Sequence, residues 1–172
     1  MKGLKFLLVA VFLLVTVSAG YAQTIDGKKI GTMDLSRVFD EYTKTKEYDM
    51  SLEAKHKDFE KERNAKIDKL KEAQAKLPAL KDNEKVKVQS DIETMINDLK
   101  TFDGQKQMDF KKERDEKIRE ILLEIEKVVS DYAQKENYAF ILNDRVLVFG
   151  NKSFDITDQM IKLLNESYPK KK

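Results

Sequence analysis

Residues 36 to 136 carry one long, strongly charged helical pattern that is interrupted only near Pro78. Between Glu53 and Glu72, 13 of 20 residues are Asp, Glu, Lys or Arg, and such side chains are rarely fully buried. An ordinary globular core is excluded there, so the stretch is expected to be a solvated arm. Strand-like segments flank the pattern on both sides, which predicts a long helical hairpin that projects from a small sheet.

The first helix of this arm is predicted to begin at Ser36 or Arg37, because Ser36 can cap a helix. Its apolar residues recur at separations of three and four, which gives one thin seam. Proline removes a helix hydrogen bond and restricts the preceding residue, so the cluster around Pro78 places the hairpin tip at 77–83. A first helix of about 42 residues would extend roughly 60 Å, which is why the arm must project.

The remaining segments, 23–35 and 137–172, are predicted to form a compact body. Residues 29–35 alternate apolar and polar side chains, as in a strand with one buried face. Two further strands are expected at 138–143 and 146–149, joined by a tight turn at 144–145, and their nearly continuous apolar character indicates burial on both faces. A short amphipathic helix should follow the cap at 155–157.

The first 22 residues have the pattern of a secretory signal peptide. Lys2 and Lys5 precede a twelve-residue apolar run from Phe6 to Val17, and small residues follow. Cleavage after Ala22 or after Ala19 would in each case leave small residues at the two positions that a signal peptidase reads. Ala22 is the preferred site. The alternative, a retained membrane anchor, is disfavoured because the run is shorter than the roughly 20 residues needed to cross a bilayer.

Composition excludes several classes of protein. The sequence contains no cysteine, which excludes disulfides, thiol catalysis and a lipoprotein anchor. Removal of Lys2 and Lys5 leaves 31 basic and 31 acidic residues, so the basic footprint of a nucleic-acid-binding protein is missing. The body has roughly 50 residues, too few for a robust monomeric core, and oligomerisation is therefore expected.

The sequence offers no catalytic constellation, no metal-ligand cluster and no phosphate-binding loop, so no enzymatic activity and no cofactor are expected. His56 is the only histidine and lies among charged neighbours typical of a solvated helix face. The Lys170 to Lys172 tail could contact acidic lipid weakly, or serve only as a solubilising end.

The second helix of the arm carries a broader apolar stripe than the first helix can cover. Its distal part either packs within the hairpin or remains accessible to a binding partner, and methionine suits partners of varied shape. The candidate client contacts are Met95, Ile96, Leu99, Phe102, Met108 and Phe110. Gly104 lies among them and is either a hinge that lets the arm bend or a tolerated helix glycine.

The residues flanking the arm resemble the Skp family, also called OmpH-like outer-membrane protein chaperones. The opening matches this family in Lys29-Ile30-Gly31-Thr32-Met33-Asp34-Leu35-Ser36-Arg37-Val38-Phe39. The closing segment is similar in kind and order through Asn137-Tyr138, Phe140-Ile141-Leu142-Asn143, Val146-Leu147 and Asp155-Ile156-Thr157. The mature chain is neutral, whereas the family is markedly basic, so attraction to acidic clients or lipid should be weaker here.

The resemblance implies an α+β, mainly helical fold in which the strands of three copies join into a small central β-barrel. Three hairpins then project as tentacles around a cavity. Candidate core residues of this trimeric body are Ile30, Met33, Leu35, Phe140, Leu142, Val146 and Val148. The implied function is that of a periplasmic, ATP-independent holdase that keeps unfolded outer-membrane β-barrel proteins soluble.

A second hypothesis is an envelope scaffold whose coiled arm binds one folded partner. A scaffold of this kind should carry a continuous heptad seam. The arm instead has charged residues at seam positions, namely Lys55, Arg63, Lys106 and Glu113. These gaps favour an open, adaptable arm and thus the holdase hypothesis.

Overall fold

The computed structural model describes residues 27–169, and the segments expected to be a signal peptide and a basic tail lie outside this range. The described chain is mainly helical with a small two-stranded sheet, which confirms the mainly helical fold predicted from the sequence. In chain order the elements are β1 (Lys29–Met33), α1 (Leu35–Glu41), α2 (Thr43–Lys76), α3 (Asp82–Lys135), β2 (Tyr138–Asn143) and α4 (Thr157–Ser167).

The first helix differs from its prediction at both its start and its continuity. Asp34, and not Ser36, is the N-cap: its carboxylate accepts a hydrogen bond from the Arg37 backbone N–H at 3.0 Å. The helix also does not run straight to residue 77, because Tyr42 has an extended backbone conformation, with φ −67° and ψ 127°, that separates α1 from α2. Asn165 of α4 contacts residues on both sides of this break.

The helices α2 and α3 pack against each other as the two halves of a hairpin. A short 3-10 helix at Leu77–Ala79 and the extended residues Leu80 and Lys81 reverse the chain between them. α3 continues without interruption for 54 residues, or about 80 Å at about 1.5 Å per residue. It ends before Asn137, whose positive φ of 59° belongs to the left-handed region that asparagine tolerates.

The sheet consists of β1 and β2 in parallel, with Ile30 opposite Phe140 and Thr32 opposite Leu142. Gly31 of β1 lies close to the ring of Tyr138. A Cβ atom at this position would be 3.0 Å from that ring, so a larger residue would force the ring to move. The prediction of a strand at 146–149 is wrong. A 3-10 helix covers Asp144–Val146, and no neighbouring strand in the described chain pairs with the residues that follow.

The hydrophobic core lies at the root of the hairpin, which is the end opposite the tip at 77–83. There α1, α3 and α4 meet. Val38, Ile121, Met160 and Leu164 are fully buried there. Of the residues predicted to fill the core of the body, Met33 is buried and Leu35 is partly buried against the cluster. The others are exposed in a single chain: Ile30, Phe140, Leu142, Val146 and Val148.

Candidate functional site

The root of the arm carries a network of charges between α2 and α3. Lys44 donates hydrogen bonds to both Glu120, at 2.6 Å, and Glu124. Lys117 donates to the second oxygen of Glu120 at 2.6 Å, and the Tyr42 hydroxyl donates to Glu124 at 3.0 Å. Each carboxylate thus has two donors, which fixes the root ends of α2 and α3 relative to each other.

These contacts change the pKa values of their members. The hydrogen bonds from Lys117 and Lys44 lower the pKa of Glu120 to about 2. Burial lowers the pKa of Lys44, but its hydrogen bonds to Glu120 and Glu124 prevail and raise it to about 12. Burial, followed by the bond to Glu124, raises the pKa of Tyr42 to about 12. None of these groups is therefore suited to proton transfer near neutral pH.

Farther along the arm, an aromatic cluster lies between two ion pairs that cross the hairpin. Phe59 of α2 stacks on Phe102 at 5.5 Å and meets Phe110 edge-on at 5.8 Å between ring centroids. His56 is exposed, as predicted for a solvated helix face, and its ring also packs on Phe110 with centroids 4.1 Å apart. Lys66 lies over the Phe102 ring at 5.0 Å.

The charged residues predicted to be gaps in the seam are mostly used within the hairpin. Lys55 pairs with Glu113 at 2.5 Å. The Arg63 Nε donates to both carboxylate oxygens of Asp103 at 3.0 Å. Lys106 lies 5.7 Å from the Phe102 ring centroid. Lys55 and Arg63 therefore bridge the two helices, whereas the Lys106 contact lies within α3; the sequence pattern did not reveal these partners.

The six candidate client contacts divide into two groups. Phe102 and Phe110 take part in the aromatic cluster and, like Leu99, are only partly exposed. Met95, Ile96 and Met108 are 37%, 44% and 62% exposed, so they remain accessible to a partner. Their role in binding stays a prediction. Gly104 lies nearby in the uninterrupted α3, and a Cβ there would meet nothing within 4 Å.

Met108 also lines a shallow groove on the side of α3, with Lys111, Lys112, Asp115, Glu116 and Arg119 as its other lining residues. Its volume is about 530 Å³. Charges of both signs alternate around it, so the groove has no strong preference for an anion or a cation.

A second apolar surface lies on the body. Val146, Val148 and Phe149 are 73%, 107% and 84% exposed. Phe140 and Leu142 of β2 are exposed beside them. Large exposed apolar side chains concentrated in one segment of a chain are typical of a contact site. Four of these residues are among the candidate core residues of the trimeric body, and Phe149 lies in the segment 146–149 that the sequence predicted to be buried on both faces.

Within residues 27–169, no group of His, Asp or Glu side chains could hold a metal ion. Among the described helices, none is long and apolar enough to cross a membrane. The features that the chain does present are apolar surfaces on a projecting arm and on a small body. Apolar surfaces of this kind are typical of protein–protein interfaces, in which apolar side chains become buried against the partner.

A family model described as outer membrane protein (OmpH-like) matches residues 29–164. The chain belongs to the OmpH-like family. OmpH-like chaperones are periplasmic proteins without enzymatic activity, so the prediction that the chain is not an enzyme is confirmed by its family. The match includes the arm and both flanking parts of the body, and it confirms the resemblance found in the sequence.

A solved structure shares the fold. It is a candidate outer membrane chaperone (OmpH-like) from Caulobacter crescentus CB15, similar with a TM-score of 0.76 at 13% sequence identity. The alignment covers 82% of the present chain and 86% of that one. A comparison with curated proteins finds no match. At this identity the likeness concerns the fold, and the residues that carry function must be argued from the present chain.

Proposed function

We propose that the chain is an ATP-independent periplasmic holdase that binds unfolded outer-membrane β-barrel proteins and prevents their aggregation. The observation that carries the proposal is the accessible apolar surface of Met95, Ile96 and Met108 on a projecting arm of an OmpH-like protein. Unfolded barrel proteins expose apolar strands that such a surface can cover. Hydrophobic contact is non-directional, so it does not demand one client geometry.

Several arms acting together would give useful affinity without a deep pocket. A single exposed methionine contributes little, but linked weak contacts bind far more tightly than each alone. Binding by many weak contacts is also releasable, because each can dissociate separately. Methionine is flexible and polarizable, which suits clients of different sequence.

Assembly as a homotrimer with a central β-barrel is part of this proposal. It is supported by the exposure of Phe140, Leu142, Val146 and Val148, which a single chain leaves uncovered. A two-stranded sheet is also marginal on its own, and its free edge invites further strands. The division into a body of 23–35 and 137–172 and an arm of 36–136, with its tip at 77–83, belongs to the same proposal.

Secretion through cleavage of the first 22 residues would deliver the chain to the periplasm. The Lys170 to Lys172 tail would give weak contact with acidic lipid, screened at physiological salt. Both remain proposals that depend on residues outside the described range.

The test is whether the purified protein keeps a urea-denatured outer-membrane barrel protein soluble on dilution without ATP. Light scattering reports aggregation, and the mass of the complex reports stoichiometry. We expect suppression at about one trimer per client, the multivalent arrangement proposed above. Unchanged aggregation by a folded trimer would overturn the holdase proposal and favour the scaffold that binds one folded partner.

A variant pair locates the client surface. Met95, Ile96 and Met108 are replaced together by Ser, and the matched control is Met50→Ser, which removes a methionine that is 71% exposed on α2. The triple variant should need more protein for the same suppression, whereas the control should behave as the parent protein does. Equal loss in both would show that any exposed methionine serves, and would contradict this assignment.

A further inference from the structure

The break between α1 and α2 has no local cause. It falls at Tyr42, in the segment Asp40-Glu41-Tyr42-Thr43-Lys44, which contains neither glycine nor proline. Kinks in helices usually have such a residue at the bend. The sequence of this segment does not require a break, which points to contacts from elsewhere in the chain as its cause.

The side chain of Asn165 in α4 supplies those contacts. Its Oδ1 accepts hydrogen bonds from the Thr43 backbone N–H and the Thr43 hydroxyl, both at 2.7 Å. Its Nδ2 donates to the Glu41 carbonyl at 3.2 Å. One amide thus satisfies backbone groups on both sides of the break, which would otherwise lack a helical partner.

A second contact from α4 secures the residue at the break itself. The Tyr168 ring meets the Tyr42 ring edge-on, with centroids 5.7 Å apart. The Tyr168 hydroxyl donates to Glu47, one turn into α2, at 3.0 Å. The end of α4 therefore contacts the break and the first turns of α2, while its buried Leu164 packs in the core.

We propose that Asn165 and Tyr168 form a clasp that fixes the direction of the arm, with Tyr42 as the joint. α3 enters the core of the body as a continuous helix, whereas α2 joins the body through the break at Tyr42. Apolar packing around Ile121 and Ile125 is non-directional and tolerates small rotations. The hydrogen bonds of the clasp are directional, so they select one angle.

The geometry amplifies small changes at this joint. α2 has 34 residues, so it extends about 50 Å, and a rotation of about 10° would move the far end by about 9 Å. The consequence for clients rests on the proposed function: the arm angle would set the width of the space that holds them. Asn165 is therefore a positioning residue, since it acts through the arm and not on the client.

The test measures arm direction by electron paramagnetic resonance. The chain lacks cysteine, so spin labels at K61C on α2 and K152C on the body report one distance per chain once diluted into unlabelled protein. Asn165→Ala removes the clasp, and Glu166→Ala removes its exposed neighbour as the matched control. We expect Asn165→Ala to broaden and shift the distance distribution, with the control unchanged. An unchanged distribution in folded Asn165→Ala would overturn the proposal.

A second variant keeps the test decisive if Asn165→Ala fails to fold. Asn165→Asp retains the acceptor toward Thr43 and replaces the donor toward Glu41, so it should shift the distance while circular dichroism retains the helical signal. No shift in folded Asn165→Asp would then overturn the proposal. The aggregation assay on the parent protein separates the two proposals, because the joint can be present in a protein that holds no client.

Discussion

Glu120 is the residue at which the root of the arm should respond to acid. Hydrogen bonds from Lys117 and Lys44 lower its pKa to about 2, below the value near 4.5 expected in the unfolded chain. The resulting stabilisation is present above about pH 4.5 and is lost as the pH falls toward 2. The side chain is 44% exposed, so solvent screens the effect and it should be modest.

Glu120→Gln should therefore lower the Tm at pH 7 and have a smaller effect near pH 2.5. Thermal unfolding followed by circular dichroism across this pH range measures the difference between parent and variant. Glu116→Gln, on the outer side of α3 in a weak 4.0 Å pair with Lys112, is the control. A difference that does not change with pH would contradict the assignment of the low pKa to Glu120.

Gly104 offers a second test at the scale of one residue. Gly104→Ala should stabilise α3 by about 1 kcal/mol, because alanine favours the helix and its Cβ meets open space. If Gly104 is the hinge, the same variant should suppress aggregation of large clients less well despite its higher Tm. Gly150→Ala, in a loop of the body, is the control. Greater stability with undiminished holding would identify Gly104 as a tolerated helix glycine.

Local residue chemistry could be predicted from the sequence where both partners are close in the chain. Glu53 and Lys57, for example, are four residues apart, a spacing at which helix side chains meet, and they form an ion pair at 2.6 Å. The role of Asn165 could not be predicted, because its partners Glu41 and Thr43 lie more than 120 residues away. An asparagine within an amphipathic helix carries no signal of such a distant contact.

Among the elements, the arm should owe more of its mid-region stability to aromatic packing than to ion pairs. Phe59 contacts both Phe102 and Phe110, and such pairs contribute about 0.5–1.5 kcal/mol beyond the area they bury. The Arg63–Asp103 pair is 41% and 25% exposed, and pairs near the surface contribute about 0.2–1 kcal/mol. Phe59→Ala should thus accelerate amide exchange in the middle of α2 and α3 more than Asp103→Asn does.

Salt distinguishes the two contributions further. Raising the ionic strength should accelerate exchange in the parent protein toward the level of Asp103→Asn and leave the additional effect of Phe59→Ala in place. Hydrogen exchange followed by mass spectrometry gives this comparison at peptide resolution. Equal exchange in Phe59→Ala and Asp103→Asn at low salt would refute the dominance of the aromatic cluster.

The periodicity of the sequence predicted the helices of the arm, but it did not predict the break between α1 and α2 at Tyr42. The pattern runs through Tyr42 without interruption, whereas the residues that contact the break, Asn165 and Tyr168, are more than 120 residues away. The strand predicted at 146–149 was wrong for a related reason. Val146, Val148 and Phe149 favour strands locally, yet the described chain provides no neighbouring strand for them.

At the scale of the whole molecule, the exposed apolar residues of the body and those of the arm should differ in how a charged substitution affects assembly. Val146 in the body is 73% exposed and Val86 on the arm is 74% exposed, so the two are matched in exposure. Under the trimer proposal, other copies cover Val146, whereas Val86 stays in solvent. Burying an unpaired carboxylate costs several kcal/mol, but an exposed one costs little.

Val146→Glu should therefore dissociate the assembly, and Val86→Glu should leave it intact. Sedimentation velocity and light-scattering mass, measured over a range of protein concentrations, report the fraction of trimer. Dissociation should also lower the Tm of Val146→Glu, because a body of this size is marginal alone. A monomeric parent protein, or a Val146→Glu variant that remains trimeric, would show that this apolar surface is not the trimer interface. A trimeric parent that dissociates with Val146→Glu alone would link the exposed body residues directly to assembly.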